Sequence, residues 1–159
     1  MNTKTSKLTF SAMVIALYII VMYFTQSIAF GQYQLRLATG LYSLSYSFPF
    51  LCFPLGFANM FSNVLLGGDI VNGFMGFLAG VFTTKSICLL KKITTRKRII
   101  VLPSAILPSL IIPIWLSFVL RVSYYVLFVS LLVGQTIAAY TVGIAMIKVG
   151  ERLRIKWPI

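Results

Sequence analysis

The chain has no histidine, one aspartate and one glutamate among 159 residues, so the groups most enzymes use to move protons or hold metals are almost missing. No pair of carboxylates can be assembled inside a membrane from Asp69 alone, and no metal or other cofactor is called for. The two cysteines, Cys52 and Cys88, have no CxxC partner, which removes a disulfide framework and a zinc site and leaves both as packing residues. Charge is scarce as well, at 10% of residues, and no long polar stretch exists from which a water-soluble domain could be built. Gly80, Val81, Phe82, Thr83, Thr84, Lys85 and Ser86 have the outline of a phosphate-cradling loop. The glycine before the lysine is missing and no strand precedes it, so nucleotide hydrolysis is set aside.

What is present is hydrocarbon. Hydrophobic residues make up 59% of the chain and mean hydropathy is +0.96, values that belong in lipid. About 20 apolar residues cross a bilayer core as a helix, so residues 1–159 read as one all-α integral membrane domain of up to six spans. Spans are expected at about 8–30, 38–50, 54–66, 70–90, 99–120 and 124–147. The basic start and the small residues Ser27 and Ala29 imitate a signal peptide, but the apolar run from Leu8 is longer than usual, and it is read as an uncleaved first span. Pro49 and Pro54 bracket a tight turn between two short helices. Gly67, Gly68 and Asp69 read as a turn and an N-cap, because glycines free the backbone and an aspartate accepts from the first amides of a helix.

Net charge is +12, with 14 Lys and Arg. These do not form a nucleic-acid surface. They gather at Lys4 and Lys7, from Lys85 through Lys91, Lys92, Arg96, Lys97 and Arg98, and from Lys148 to Lys156, each beside a long apolar run. Six spans place all three groups and both termini on the cytoplasmic side, leaving Arg36 and Arg121 outside, in accord with the positive-inside rule. A four-span arrangement, with 37–68 as a re-entrant hairpin, meets the same rule. Glu151 sits among basic neighbours, and a surface ion pair with Arg152 or Arg154 is its expected role.

The informative polar residues fall on the outer half of the spans. Gln34, Arg36, Thr39 and Tyr42 lie near the start of the second span, and Asn59 and Asn63 along the third. Asp69 and Asn72 open the fourth, and Gln135 is within the sixth. A buried amide costs a few kcal/mol unless paired, so such residues bind one another or a polar ligand. Arg36 and Asp69, both at outer span ends, are placed to form one ion pair; the plainer reading is a structural clasp, and the sharper one is a clasp that orders the 31–42 loop over a pocket walled by Gln34 and Asn72. Tyr33, Tyr42 and Tyr46 are placed to stack on a planar ligand. Ser11, Ala12 and Ala16 form a small-residue face on the first span, and Gly76 with Gly80 repeats the pattern on the fourth. Either face lets another helix approach closely.

Phe30, Gly31, Gln34, Arg36, Thr39 and Leu41 stand in a stretch that resembles FGxxQxRxxEAL of the queuosine-precursor transporter (QueT) family, substrate-binding S components of energy-coupling factor (ECF) importers. Asn63 to Gly73, with Gly67, Gly68 and Asp69 between, is similar to a second signature of that family, and Gly134 with Gln135 to its Gly-Glu. The fifth span matches in hydropathy alone. The resemblance implies six helices, a pocket for a small vitamin-like molecule near the outer face, and docking on a transmembrane subunit that carries two ATPases. It also implies a Gram-positive bacterial cell membrane, and it makes Ala12 and Ala16 the docking face. Thr39 and Gln135 stand where the family has glutamates, and Asn59 where it commonly has cysteine. A queuosine precursor, queuine or a related deazapurine, is the first candidate ligand by this resemblance, and with the two glutamates replaced a neutral deazapurine-like base or another planar heterocycle is expected in preference to an aminomethylated one. A small structural or regulatory membrane subunit, whose polar residues only hold helices together, is the competing reading.

Overall fold

The computed structural model describes residues 3–29, 34–67 and 69–156, and among these every regular element is helical. α1 (Thr3–Phe24) is followed by the single turn α2 (Gln26–Ala29), a buried 3₁₀ helix (Leu37–Tyr46) and a 3₁₀ turn at Pro49–Leu51. Then come α3 (Cys52–Gly67), α4 (Ile70–Ile93), the short α5 (Lys97–Ile100) and α6 (Leu102–Leu120). α7 (Tyr124–Ala138) runs through a π-helical segment (Ala139–Gly143) into α8 (Ile144–Lys156). Five helical stretches among the described residues are long and apolar enough to cross a membrane: Lys4–Phe24, Pro49–Gly67, Ile70–Ile93, Lys97–Leu120 and Tyr124–Ile155. This is a membrane protein.

Most expected spans therefore coincide with observed helices, but the one at 38–50 does not. In its place stands a ten-residue 3₁₀ helix, buried from Ala38 through Ser45 and packed against α1, α4, α7, the π segment and α8. A 3₁₀ helix rises about 2.0 Å per residue against 1.5 Å in an α-helix, so ten residues reach roughly 20 Å rather than 15 Å. The stretched form covers more depth with less chain. It also eclipses residues three apart, which puts Gly40 and Ser43 on one line, with Ser47 just beyond. Opposite this line lie Val142, Gly143 and Gly150. A β-carbon on Gly40 would stand 2.6 Å from Val142 Cβ, and one on Gly150 would stand 2.7 Å from Ser47 Oγ. The approach works because both sides are small.

α3 and α4 pack in the same manner. A β-carbon on Gly80 would lie 3.1 Å from Gly56 Cα, and one on Gly76 would lie 2.4 Å from Asn63 Nδ2. The glycine face of α4 is thus spent inside the molecule and is not available to a partner, whereas Ala12 and Ala16 on α1 are exposed. Pro54 falls in the first turn of α3, where its missing amide hydrogen costs nothing. Asp69 caps α4 as expected, its Oδ1 accepting from Val71 N at 2.9 Å.

The two ends of the bundle differ in charge. At one end Lys91 Nζ donates to the Tyr46 carbonyl at 2.7 Å, and Lys97 pairs with Glu151. Glu151 therefore reaches across to the start of α5 rather than to Arg152 or Arg154. At the other end Arg36 meets the last turns of α3.

Candidate functional site

At the end remote from the lysines, α2, the segment before the 3₁₀ helix, the α3–α4 junction and the last turns of α6 enclose a cavity of about 430 Å³. Its polar lining is Gln26, Ser27, Gln34, Arg36, Asp69 and Asn72, and Leu66, Leu116, Val119 and Leu120 supply apolar wall. A volume of this size, mostly apolar with a few converging polar groups, is what a small-molecule site requires. Four of the nine sequence-derived candidates, Gln34, Arg36, Asp69 and Asn72, line it.

Gln34 is held with φ of 38°, in the left-handed region, and its side chain is buried. A non-glycine residue is kept there only where surrounding contacts over-determine it, as at many ligand sites. Its Oε1 has no hydrogen-bond partner among the described residues. Leu35 N donates to Ile28 O at 2.9 Å, which ties this segment to α2. Asn72 accepts from Trp115 Nε1 at 2.5 Å. Trp115 was missed in the sequence reading; a tryptophan in the outer third of an apolar span was the available signal.

The other candidates lie below the cavity in a closed network. Arg36 Nη1 donates to Asn63 Oδ1 at 3.2 Å, Asn63 Nδ2 to Asn59 Oδ1 at 3.0 Å, and Asn59 Nδ2 to the Gly76 carbonyl at 2.7 Å. Each amide accepts at one end and donates at the other, so the guanidinium is wired through α3 to the backbone of α4. Tyr42 stacks on Tyr18, with ring centroids 5.9 Å apart and hydroxyls at 3.4 Å. Tyr18, fully buried, is a second residue the sequence reading missed, legible only as a tyrosine in mid-span.

Thr39 and Gln135, 96 positions apart, meet directly: Thr39 Oγ1 lies 2.5 Å from Gln135 Oε1 and 2.7 Å from the Arg36 carbonyl. A hydroxyl has one proton for these two acceptors. Either they share it, or the Gln135 amide turns over and donates to the threonine oxygen. In the geometry shown, Gln135 Nε2 has no partner among the described residues.

Three expectations are corrected. The Arg36–Asp69 ion pair is not made: the guanidinium is engaged by Asn63, the carboxylate caps α4, and the ion pair among the described residues is Lys97–Glu151. Both charges still line the cavity. Tyr46 lies at the opposite, lysine-rich end, with Lys91 Nζ 4.8 Å from its ring centroid, and cannot stack on a ligand here. Tyr42 is occupied by Tyr18. Tyr33, with Phe30, Gly31 and Gly68 of the two signatures, lies outside the described residues.

A family model described as QueT transporter matches residues 8–152. The chain belongs to the QueT transporter family. QueT membership implies transport of a small molecule rather than catalysis, and it extends over every element that builds the cavity and the network beneath it. No curated relative and no solved structure matches the chain.

Proposed function

We propose that the chain is the substrate-capture subunit of an ECF-type importer in a Gram-positive cell membrane, taking a queuosine precursor or related deazapurine-like base into the outer cavity. The observation that carries this reading is the 430 Å³ cavity in which Gln34, Arg36, Asp69 and Asn72 converge at the end remote from the basic residues. The positive-inside rule turns the lysine-rich end, with both termini, to the cytoplasm and the cavity outward. The buried 3₁₀ helix then makes a sixth crossing within one membrane domain, since it joins the Arg36 end to the Tyr46 end. Ala12 and Ala16, exposed on α1, offer a flat face to the transmembrane subunit, whose two ATPases supply the energy this chain has no groups to provide.

Thr39 and Gln135 support a neutral ligand. Glutamates at both positions would stand side by side and would need a cation, such as a ligand ammonium, between them. A hydroxyl and an amide satisfy each other instead. Asn59 likewise spends its polarity on Asn63 and Gly76.

The test is ligand binding by purified protein, followed by melting and calorimetry, with queuine, its nitrile and aminomethyl precursors and a panel of vitamins. A ligand at a hundredfold excess over its dissociation constant stabilises the native state by about 2.7 kcal/mol, a readily seen shift. Binding of the neutral nitrile in preference to the aminomethyl precursor and to queuine, both of which carry a basic amine, supports a neutral-ligand site, and Thr39→Glu with Gln135→Glu should move preference toward the amines. Folded protein that binds none of them would favour a structural subunit, the reading to which the mutually bonded amides of Asn59 and Asn63 lend weight.

A further inference from the structure

The lysine-rich end carries a second cleft that capture of a substrate does not use. It lies between the turn at Pro49 and the last turns of α4, encloses about 580 Å³, and is lined by Pro49, Lys85, Cys88, Leu89, Lys91 and Lys92. Three lysines thus line a largely apolar hollow whose lining contains no carboxylate. Glu151, the acid described at this end, is engaged by Lys97. Orientation by the positive-inside rule asks only that cations be on this side; it does not ask them to share a cleft.

The depth of the cleft is marked by aromatic rings. Lys85 Nζ sits 5.2 Å from the Phe53 centroid, Lys91 Nζ 4.8 Å from Tyr46 and Lys7 Nζ 5.7 Å from Phe50. Lysines lying over rings, stems in hydrocarbon and heads in water, are what a membrane–water boundary produces. From this level an apolar stripe runs into the bilayer, with Phe53 and Phe57 exposed on α3 and Phe82 and Leu89 exposed on α4.

We propose that this cleft holds the phosphate of an anionic phospholipid between Lys85 and Lys92, with an acyl chain lying along Phe53 and Leu89. Charge complementarity selects an anion, and the apolar wall opening to lipid selects one that carries its own hydrocarbon. Lys91, already bonded to the Tyr46 carbonyl, fixes the floor of the cleft rather than reaching for the ligand. The proposal is independent of what the outer cavity binds.

The test uses the full chain in neutral detergent micelles, titrated with phosphatidylglycerol or phosphatidylcholine, reading melting temperature and the number of lipids retained in native mass spectrometry. The expected result is a rise in melting temperature and retained phosphatidylglycerol, with no such effect of phosphatidylcholine. Lys85→Gln with Lys92→Gln should weaken retention on the order of thirtyfold, from about 1 kcal/mol per lysine at an anionic surface. Arg96→Gln with Arg98→Gln, which removes equal charge from a neighbouring cleft, should leave it intact. Equal loss in both double variants would overturn the proposal in favour of diffuse surface charge. Equal stabilisation by free glycerol phosphate would overturn it in favour of a soluble-anion site.

Discussion

Asp69 performs two tasks that substitution can separate. Its carboxylate accepts from Val71 N as the cap of α4, and the same side chain faces the cavity. Asparagine caps about as well as aspartate, whereas alanine costs about 1 kcal/mol. Asp69→Asn should therefore keep the stability of the empty protein, read by melting, within about 0.5 kcal/mol of the parent while weakening capture of a ligand that donates to the carboxylate. Asp69→Ala should lower both. Asn59 is the opposite case, a residue with structural partners on both sides and no cavity surface. Asn59→Ala removes its bonds to Asn63 and Gly76 and leaves the Asn63 amide without that acceptor, a loss of roughly 1–3 kcal/mol to be read from thermal unfolding in detergent. A neutral outcome there would mean that water replaces the amide in the network. The sequence pointed to both tasks, the cap from the glycines before Asp69 and the pocket from its place at a span end, but it gave the carboxylate Arg36 as a partner, whereas Arg36 donates to Asn63.

The buried 3₁₀ helix is the element on which the site depends, because it carries Arg36 at its cavity end, Thr39 and Tyr42 within it, and Tyr46 at its lysine-rich end. Its fit rests on Gly40. Gly40→Ala would put a carbon 2.6 Å from Val142 Cβ and 3.0 Å from Gly143 N, where backbone as well as side chain must move. The expected cost is about 1–3 kcal/mol, measured by melting, with weakened ligand binding because Arg36 and Thr39 shift with the helix. A second contact, where the turn at Pro49–Leu51 enters α3, can be checked chemically. Cys52 and Cys88 are free thiols with sulfurs 3.4 Å apart. Oxidation by dioxygen with a copper–phenanthroline catalyst should join them and remove both from reaction with a mass-tagged maleimide, whereas Cys52→Ala should leave Cys88 reactive. Loss of one thiol without the other in the parent chain would contradict the packing of α3 on α4. The sequence marked these cysteines as apolar filler because nothing local reveals that two residues so far apart share a contact.

Across the whole molecule, the basic end and the cavity end stand at opposite faces, and an odd or even number of crossings decides which termini share a side. In a Cys52→Ala, Cys88→Ala background, Ser123→Cys in the exposed turn before α7 should react with an impermeant thiol reagent on intact cells. Thr95→Cys, in the exposed turn before α5, should react only after permeabilisation. The reverse pattern would turn the protein over and place the cavity inside. The distribution of residues by itself determined that this chain lives in a membrane, where most of its helices lie, which end is basic and where α4 is capped. Hydropathy, charge and capping are sums over neighbours in sequence. Only the tertiary structure decided that 37–46 is a 3₁₀ helix, that Thr39 meets Gln135, that Arg36 turns to Asn63 instead of Asp69, and that Tyr46 faces away from the cavity. In lipid the outside of a helix is as apolar as its inside, so the sequence pattern does not say which face turns inward, and these partnerships are set by how helices rotate and approach one another.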